Sequence, residues 1–139
     1  MKQSLIIDTN VICALYNSED SLYQKAQRIK HLLTEYNPVV SNFILLETYT
    51  VLSQRVSKEF AVSFGKRVRE RHSYAVVWIN RKLEQDIWKI FVSIKDKNFS
   101  YVDASILAVM KKEKISHLLS FDAGFEGLQS QLKFKLIGS

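Results

Sequence analysis

One proline, four glycines, one cysteine and three histidines are spread over 139 residues, and each scarcity excludes something. So few breakers leave no linker, repeat or low-complexity tract, so the chain is expected to form a single domain, 1–139, with short connections. No glycine-rich loop follows the first apolar run, which removes folds that cradle a phosphate on backbone amides. A lone Cys13 excludes an internal disulfide framework and fits a reducing cytoplasm. Between Ile12 and Ala14 it reads as a small buried hydrophobe. His31, His72 and His117 have no metal-ligand spacing, so neither a zinc cluster nor a histidine base is indicated. No apolar run approaches the roughly 18 residues of a membrane span. The first apolar stretch carries Asp8 and no cleavage pattern follows, so it reads as a strand and helix rather than a signal peptide.

Acidic residues are also in the minority, 14 against 20 Lys and Arg, for a net charge of +6 and a pI near 9.4. That balance favours an anionic partner, nucleic acid first. Against this background four acids lie inside apolar or small-residue runs: Asp8 in LIIDTNV, Glu47 in ILLETYTVL, Asp103 in FSYVDASILAVM and Asp122 in LLSFDAGF. Acids are almost never fully buried unpaired, because desolvating a lone carboxylate drives it to protonate.

Periodicity predicts how these runs are arranged. Leu5–Ile7, Pro38–Val40, Tyr74–Ile79, His117–Phe121 and Phe134–Ile137 read as strands. Between them lie a short helix from Val11 to Tyr16, one opened by Ser18-Glu19-Asp20 and reaching Leu33, and one from Phe43 to about Ser53 capped by Ser41-Asn42. Further helices run from Lys58 to Arg71, from Asn80 to about Ile94, and from Ser100 to Met110, the last apolar on nearly every side. Strands alternating with helices predict an α/β protein, a three-layer α/β/α sandwich around a mostly parallel sheet.

In such sheets ligands bind beyond the carboxyl ends of the strands. Asp8 and Asp122 each follow a strand, and Asp103 lies in the first turn of its helix, where Ser100-x-x-Asp103 also matches a capping box. Glu47 sits mid-helix. Any one of these acids has a structural explanation as a cap or an ion-pair partner. Four gathered together would repel one another and need a divalent cation. Oxygen ligands without a Cys or His cluster suit Mg²⁺ or Mn²⁺.

The ordered set, closing on Phe-Asp-x-x-Phe at Phe121–Phe125, resembles the acidic signatures of PIN-domain nucleases, most of all the stand-alone VapC-type toxins of toxin–antitoxin pairs. The resemblance spans Leu5 to Phe125. It implies Mg²⁺- or Mn²⁺-dependent hydrolysis of RNA. Asp8 and Asp103 would be ligands, Asp122 would complete the first metal site or hold a second ion, and Glu47 would orient water. Thr9, Asn10 and Ser100 match the polar neighbours of those acids. It further implies a small antitoxin partner and admits a homodimer. Lys66, Arg67, Arg69 and Arg71 are the first candidates to hold RNA phosphates, with Arg81, Lys82 and Lys111 to Lys114 behind them; a solvated helix face is the alternative for each. Two rival functions share the fold: an RNA-processing nuclease without an antitoxin, and a non-catalytic RNA-binding module.

Overall fold

Four consecutive residues, Ser4–Ile7, form β1, and Leu5, Ile6 and Ile7 are wholly buried. Strands covered on both faces read as continuous apolar runs, and β1 is the middle strand of a five-stranded sheet. A computed structural model describes residues 2–138. Besides β1 the sheet contains β2 (Asn37–Ser41), β3 (Ala75–Val77), β4 (His117–Leu119) and β5 (Lys135–Ile137) in the order β3-β2-β1-β4-β5. All four pairings are parallel, so the expectation of a mostly parallel sheet is met in full. The order reverses between β1 and β4, and a crevice opens at such a switch point beyond the strand ends.

The helices are α1 (Thr9–Tyr16), α2 (Tyr23–Ile29), α3 (Leu32–Glu35), α4 (Asn42–Arg55), α5 (Lys58–Glu70), α6 (Arg81–Ser93), α7 (Tyr101–Glu113) and α8 (Gln129–Leu132), with a 3-10 segment at Ala123–Leu128 before the last. The longer helices start at side-chain caps, whereas α2, α3 and α8 have none. Ser41 accepts from Ile44 N–H, Ser57 from Phe60 N–H and Asn80 from Leu83 N–H. Each satisfies a backbone donor that a helix start leaves open. The predicted capping box of α7 is formed in both directions. Every residue of α7 from Asp103 to Met110 is buried, as its all-round apolar pattern requires.

Two expectations shift. The helix expected to run through to Leu33 is broken. Asp20 instead takes Leu22 N–H in a local turn, α2 ends at Ile29, and α3 is a separate turn. The break is local tightening: Lys30, Leu33 and Thr34 each bond three residues back, to Gln27, Lys30 and His31. β4 ends at Leu119 rather than Phe121 because the N–H groups of Phe121 and Asp122 are taken by the Asn10 and Ser120 side chains.

Candidate active site

The register of β1 and β4 decides where the first acid stands. Ile7 pairs with Leu119, and Asp8 N–H donates to Leu119 O at 3.0 Å. The next rung therefore sets the Asp8 side chain against Ser120, whose hydroxyl donates to Asp8 Oδ2 at 2.8 Å. Asp8 also caps α1, its Oδ1 accepting from Thr9 N–H at 2.7 Å. Asn10 reaches back from the first turn: its Nδ2 is 3.4 Å from Asp8 Oδ2, and its Oδ1 accepts from Phe121 N–H at 3.2 Å. Ser120 Oγ accepts in turn from Asp122 N–H at 3.0 Å. One buried hydroxyl thus joins the exits of two adjacent strands and the two acids that follow them.

The other two acids arrive on helices. Asp103 accepts Ser100 N–H on Oδ2 at 2.9 Å, while Ser100 Oγ accepts Asp103 N–H at 3.0 Å. The capping box thereby orients the carboxylate. Asp122 caps the 3-10 segment, Oδ1 taking Gly124 N–H at 2.8 Å. Burial raises the pKa of half-buried Glu47 on α4, the nearby Thr9 hydroxyl opposes that rise, and Thr48 from the next position donates to Thr9 at 3.5 Å. Thr9 therefore ties α4 to the start of α1.

The electrostatics show how close the acids stand. Asp8 is pushed up to about 7, chiefly by burial and further by Asp103 and Glu47, against the lowering pull of Ser120 and Thr9 N–H. Burial also raises Glu47, with Asp103 adding to it, and raises Asp103, with Asp122 adding to it. All four acids therefore share one edge of the sheet. Among the described residues no three Asp, Glu, His or Cys side chains are drawn together tightly enough to hold an ion. The donor set itself fits a hard divalent cation. Asp103 and Asp122 each engage one oxygen with a backbone N–H, which leaves the second for another ligand, and like charges without a counter-ion favour a cation over further crowding.

Ser120 and Thr48 were absent from the sequence reading, as were two cations. Lys25 of α2 places its ammonium 4.9 Å from the ring centre of Phe121, the residue before Asp122 in the chain. Arg55, two turns beyond Glu47 on α4, lies near enough to Cys13 to pull its thiol pKa down, although burial and then Asp20 raise it overall to about 11. That thiol is no nucleophile. Of the predicted cations, Lys66, Arg67 and Arg69 lie on α5, which packs on the Glu47 helix, and Arg71 is just past its end; Arg81 and Lys82 open α6, while Lys111, Lys112 and Lys114 stand at the end of α7 opposite Asp103. Lys66, Arg67, Arg69 and Arg71 are all exposed, and Arg67 stacks 5.5 Å from the Tyr16 ring centre.

The chain is 32% identical over 123 residues, 87% of its length and 91% of the relative's, to the 23S rRNA-specific endonuclease VapC20 of Mycobacterium tuberculosis. The crystal structure of M. tuberculosis VapC20, described as a sarcin–ricin loop cleaving toxin, superposes with a TM-score of 0.78 at 28% identity, covering 88% of this chain and 93% of that one. VapBC2 of Rickettsia felis, solved on a DNA fragment from its promoter, shares the fold at a TM-score of 0.67 and 14% identity, covering 96% and 97%. PIN-domain nucleases work with divalent metal ions, the cation class that these acids suit. Residues 5–129, which include all four acids and their hydrogen-bonding neighbours, match the PIN domain, and the chain belongs to that family.

Proposed function

We propose that the protein is an endoribonuclease that hydrolyses RNA phosphodiester bonds with Mg²⁺ or Mn²⁺, acting as the toxin of a toxin–antitoxin pair in the cytoplasm. The observation that carries this reading is the junction at Ser120, which sets Asp8 and Asp122 together where Asp103 and Glu47 also face. Asp8, Asp103 and Asp122 would hold the cation, their side chains turning from their present partners to do so. When bound, the cation supplies Lewis acidity and positive charge towards the phosphoryl group. Glu47, held by Thr9, would orient the attacking water and take its proton. Ser100 and Asn10 would keep Asp103 and Asp8 aimed, and Ser120 limits the rise that burial gives the Asp8 pKa.

Phosphates approaching four carboxylates need cations around them. Lys25, over the ring of Phe121, is one candidate. Lys66, Arg67, Arg69 and Arg71 stand away from the acids, with Arg67 against Tyr16 at the far end of α1 from Asp8 and Arg69 in a groove with Ser4 and Asn37 at the amino ends of β1 and β2. The VapC20 relatives make a 23S rRNA hairpin the first RNA to test. An antitoxin, or a second copy of the chain, has apolar surface to cover: Leu46, Trp78, Trp88 and Val92 are all more than half exposed. No helix of the described residues is long and apolar enough to cross a membrane.

The test incubates purified protein with total RNA and Mg²⁺ or Mn²⁺, beside EDTA and an Asp8→Ala control, and maps the new ends. Discrete cleavage that EDTA and the substitution both abolish supports the reading. Cleavage indifferent to both would refute it.

A further inference from the structure

At the far end of α7 from Asp103, a groove of about 800 Å³ opens between α6, α7 and the segment that ends in Phe134. It lies at the amino ends of β4 and β5, so the acid edge and this groove occupy opposite rims of the sheet. Its walls are apolar: Ile90 and Ile94 from α6, Leu107 and Met110 from α7, Leu132 and Phe134 from the C-terminal segment. Leu132 is 46% exposed. Lys111, Lys114 and Lys133 stand on the rim, all exposed, and among the described residues no acid lines the groove.

The helix dipole accounts for lysines in the last turn of α7. It does not account for Lys133, because the four residues of α8 carry little macrodipole. Both Lys114 and Lys133 have φ of 56°, the left-handed region that favours Gly or Asn at a helix end. Lysine accepts that backbone cost at both positions, and both side chains border the same groove.

We propose that this groove binds a small amphipathic anion: an aliphatic or aromatic body bearing one carboxylate, the body between α6, α7 and Leu132 and the carboxylate among Lys111, Lys114 and Lys133. The volume falls within the roughly 300–1,000 Å³ of small-ligand sites. Nucleic acid has no apolar surface of this extent to set against the walls. A neutral hydrophobe would leave the lysines unmatched, and a cation would be repelled. The site is independent of the ribonuclease reading and stands whether or not the chain cleaves RNA.

The experiment titrates the full chain with sodium decanoate below its micelle-forming concentration, following amide NMR shifts. Decanol and decyltrimethylammonium serve as neutral and cationic twins, and a synthetic acidic amphipathic helix as a peptide rival. The expected result is saturable decanoate binding with shifts centred on α6, the end of α7 and residues 128–134, and weaker binding of both twins. Lys114→Gln with Lys133→Gln should weaken decanoate by about tenfold. Leu132→Glu should abolish binding while the melting midpoint stays in place. Equal binding of the cationic twin, shifts centred elsewhere, indifference to these substitutions, or saturation by the peptide alone would overturn the proposal.

Discussion

Helix α7 joins two ends of the molecule that treat charge in opposite ways. At its first turn Asp103 is buried, bonded into a capping box, and one of three acids, with Asp8 and Glu47, whose pKa burial and then neighbouring carboxylates raise. At its last turn Lys111 and Lys114 are exposed around an apolar groove. The lysines keep their hydration and cost the fold little. The acids lose theirs, and only fixed hydrogen bonds and neighbouring backbone hold them in place. Charge retained at that expense is the mark of a site that needs it. The difference teaches that the acid end depends on the whole sheet, whereas the lysine rim depends on local helix ends.

The largest effect expected from this contrast is at the acid end. Asp103→Asn keeps the shape of the capping box and removes a charge, so RNA cleavage should fall by about a thousandfold, equivalent to about 4 kcal/mol of barrier, with an unchanged circular dichroism spectrum. Lys111→Gln at the other end of the same helix should leave cleavage within about twofold. Comparable losses from both would erase the distinction.

The next effect concerns pH. Asp8 ionises near its ordinary value of 3.8 when unfolded and only at about 7 when folded. Between these values the folded chain binds more protons, so metal-free stability falls as pH rises from about 4 to about 7 and levels off beyond. At about 1.4 kcal/mol per pH unit the loss is on the order of 4 kcal/mol at most. Denaturant melts from pH 4 to 8 would measure it. Asp8→Asn should flatten the curve, and a wild-type curve already flat would contradict the burial of an uncompensated carboxylate.

Ser120→Ala removes the strongest hydrogen bond lowering the Asp8 pKa. Stability should drop by about 1–3 kcal/mol, and the pH at which metal-free stability levels off should move above that of wild type. Unfolding curves of the two proteins across pH test both together. The smallest effect belongs to Lys25→Gln, which removes the cation over Phe121. RNA binding should weaken and its logarithmic salt slope should shrink by about 1. An identical slope would remove Lys25 from the RNA path.

Which of these features could be read from the sequence follows from how local they are. Asp8 after an apolar triplet, Ser41 and Asn80 before helices, and the Ser100–Asp103 box are each written within four residues. Their caps formed as expected. Ser120 could not be read this way, because its partner Asp8 is 112 residues distant and only the β1–β4 register brings them together. Lys25 over Phe121 and Thr48 on Thr9 were hidden for the same reason. The division into α2 and α3 at Lys30–His31 carries no Gly or Pro, so periodicity ran across it. One signal was available: Ser120 is a small polar residue one step past an apolar strand, two before an acid, and such positions at a switch point can be examined as site candidates in their own right.

The central claim is that carboxylates from four separate elements serve one divalent cation. Calorimetric titration with Mn²⁺ near pH 7 tests it most directly, using the intact chain, Asp8→Asn and Asp103→Asn, in two buffers of different ionisation enthalpy. The account predicts saturable binding by wild type with proton release, since Asp8 titrates near that pH, and at least about tenfold weaker binding by either variant. Equal Mn²⁺ affinity in all three proteins would contradict it.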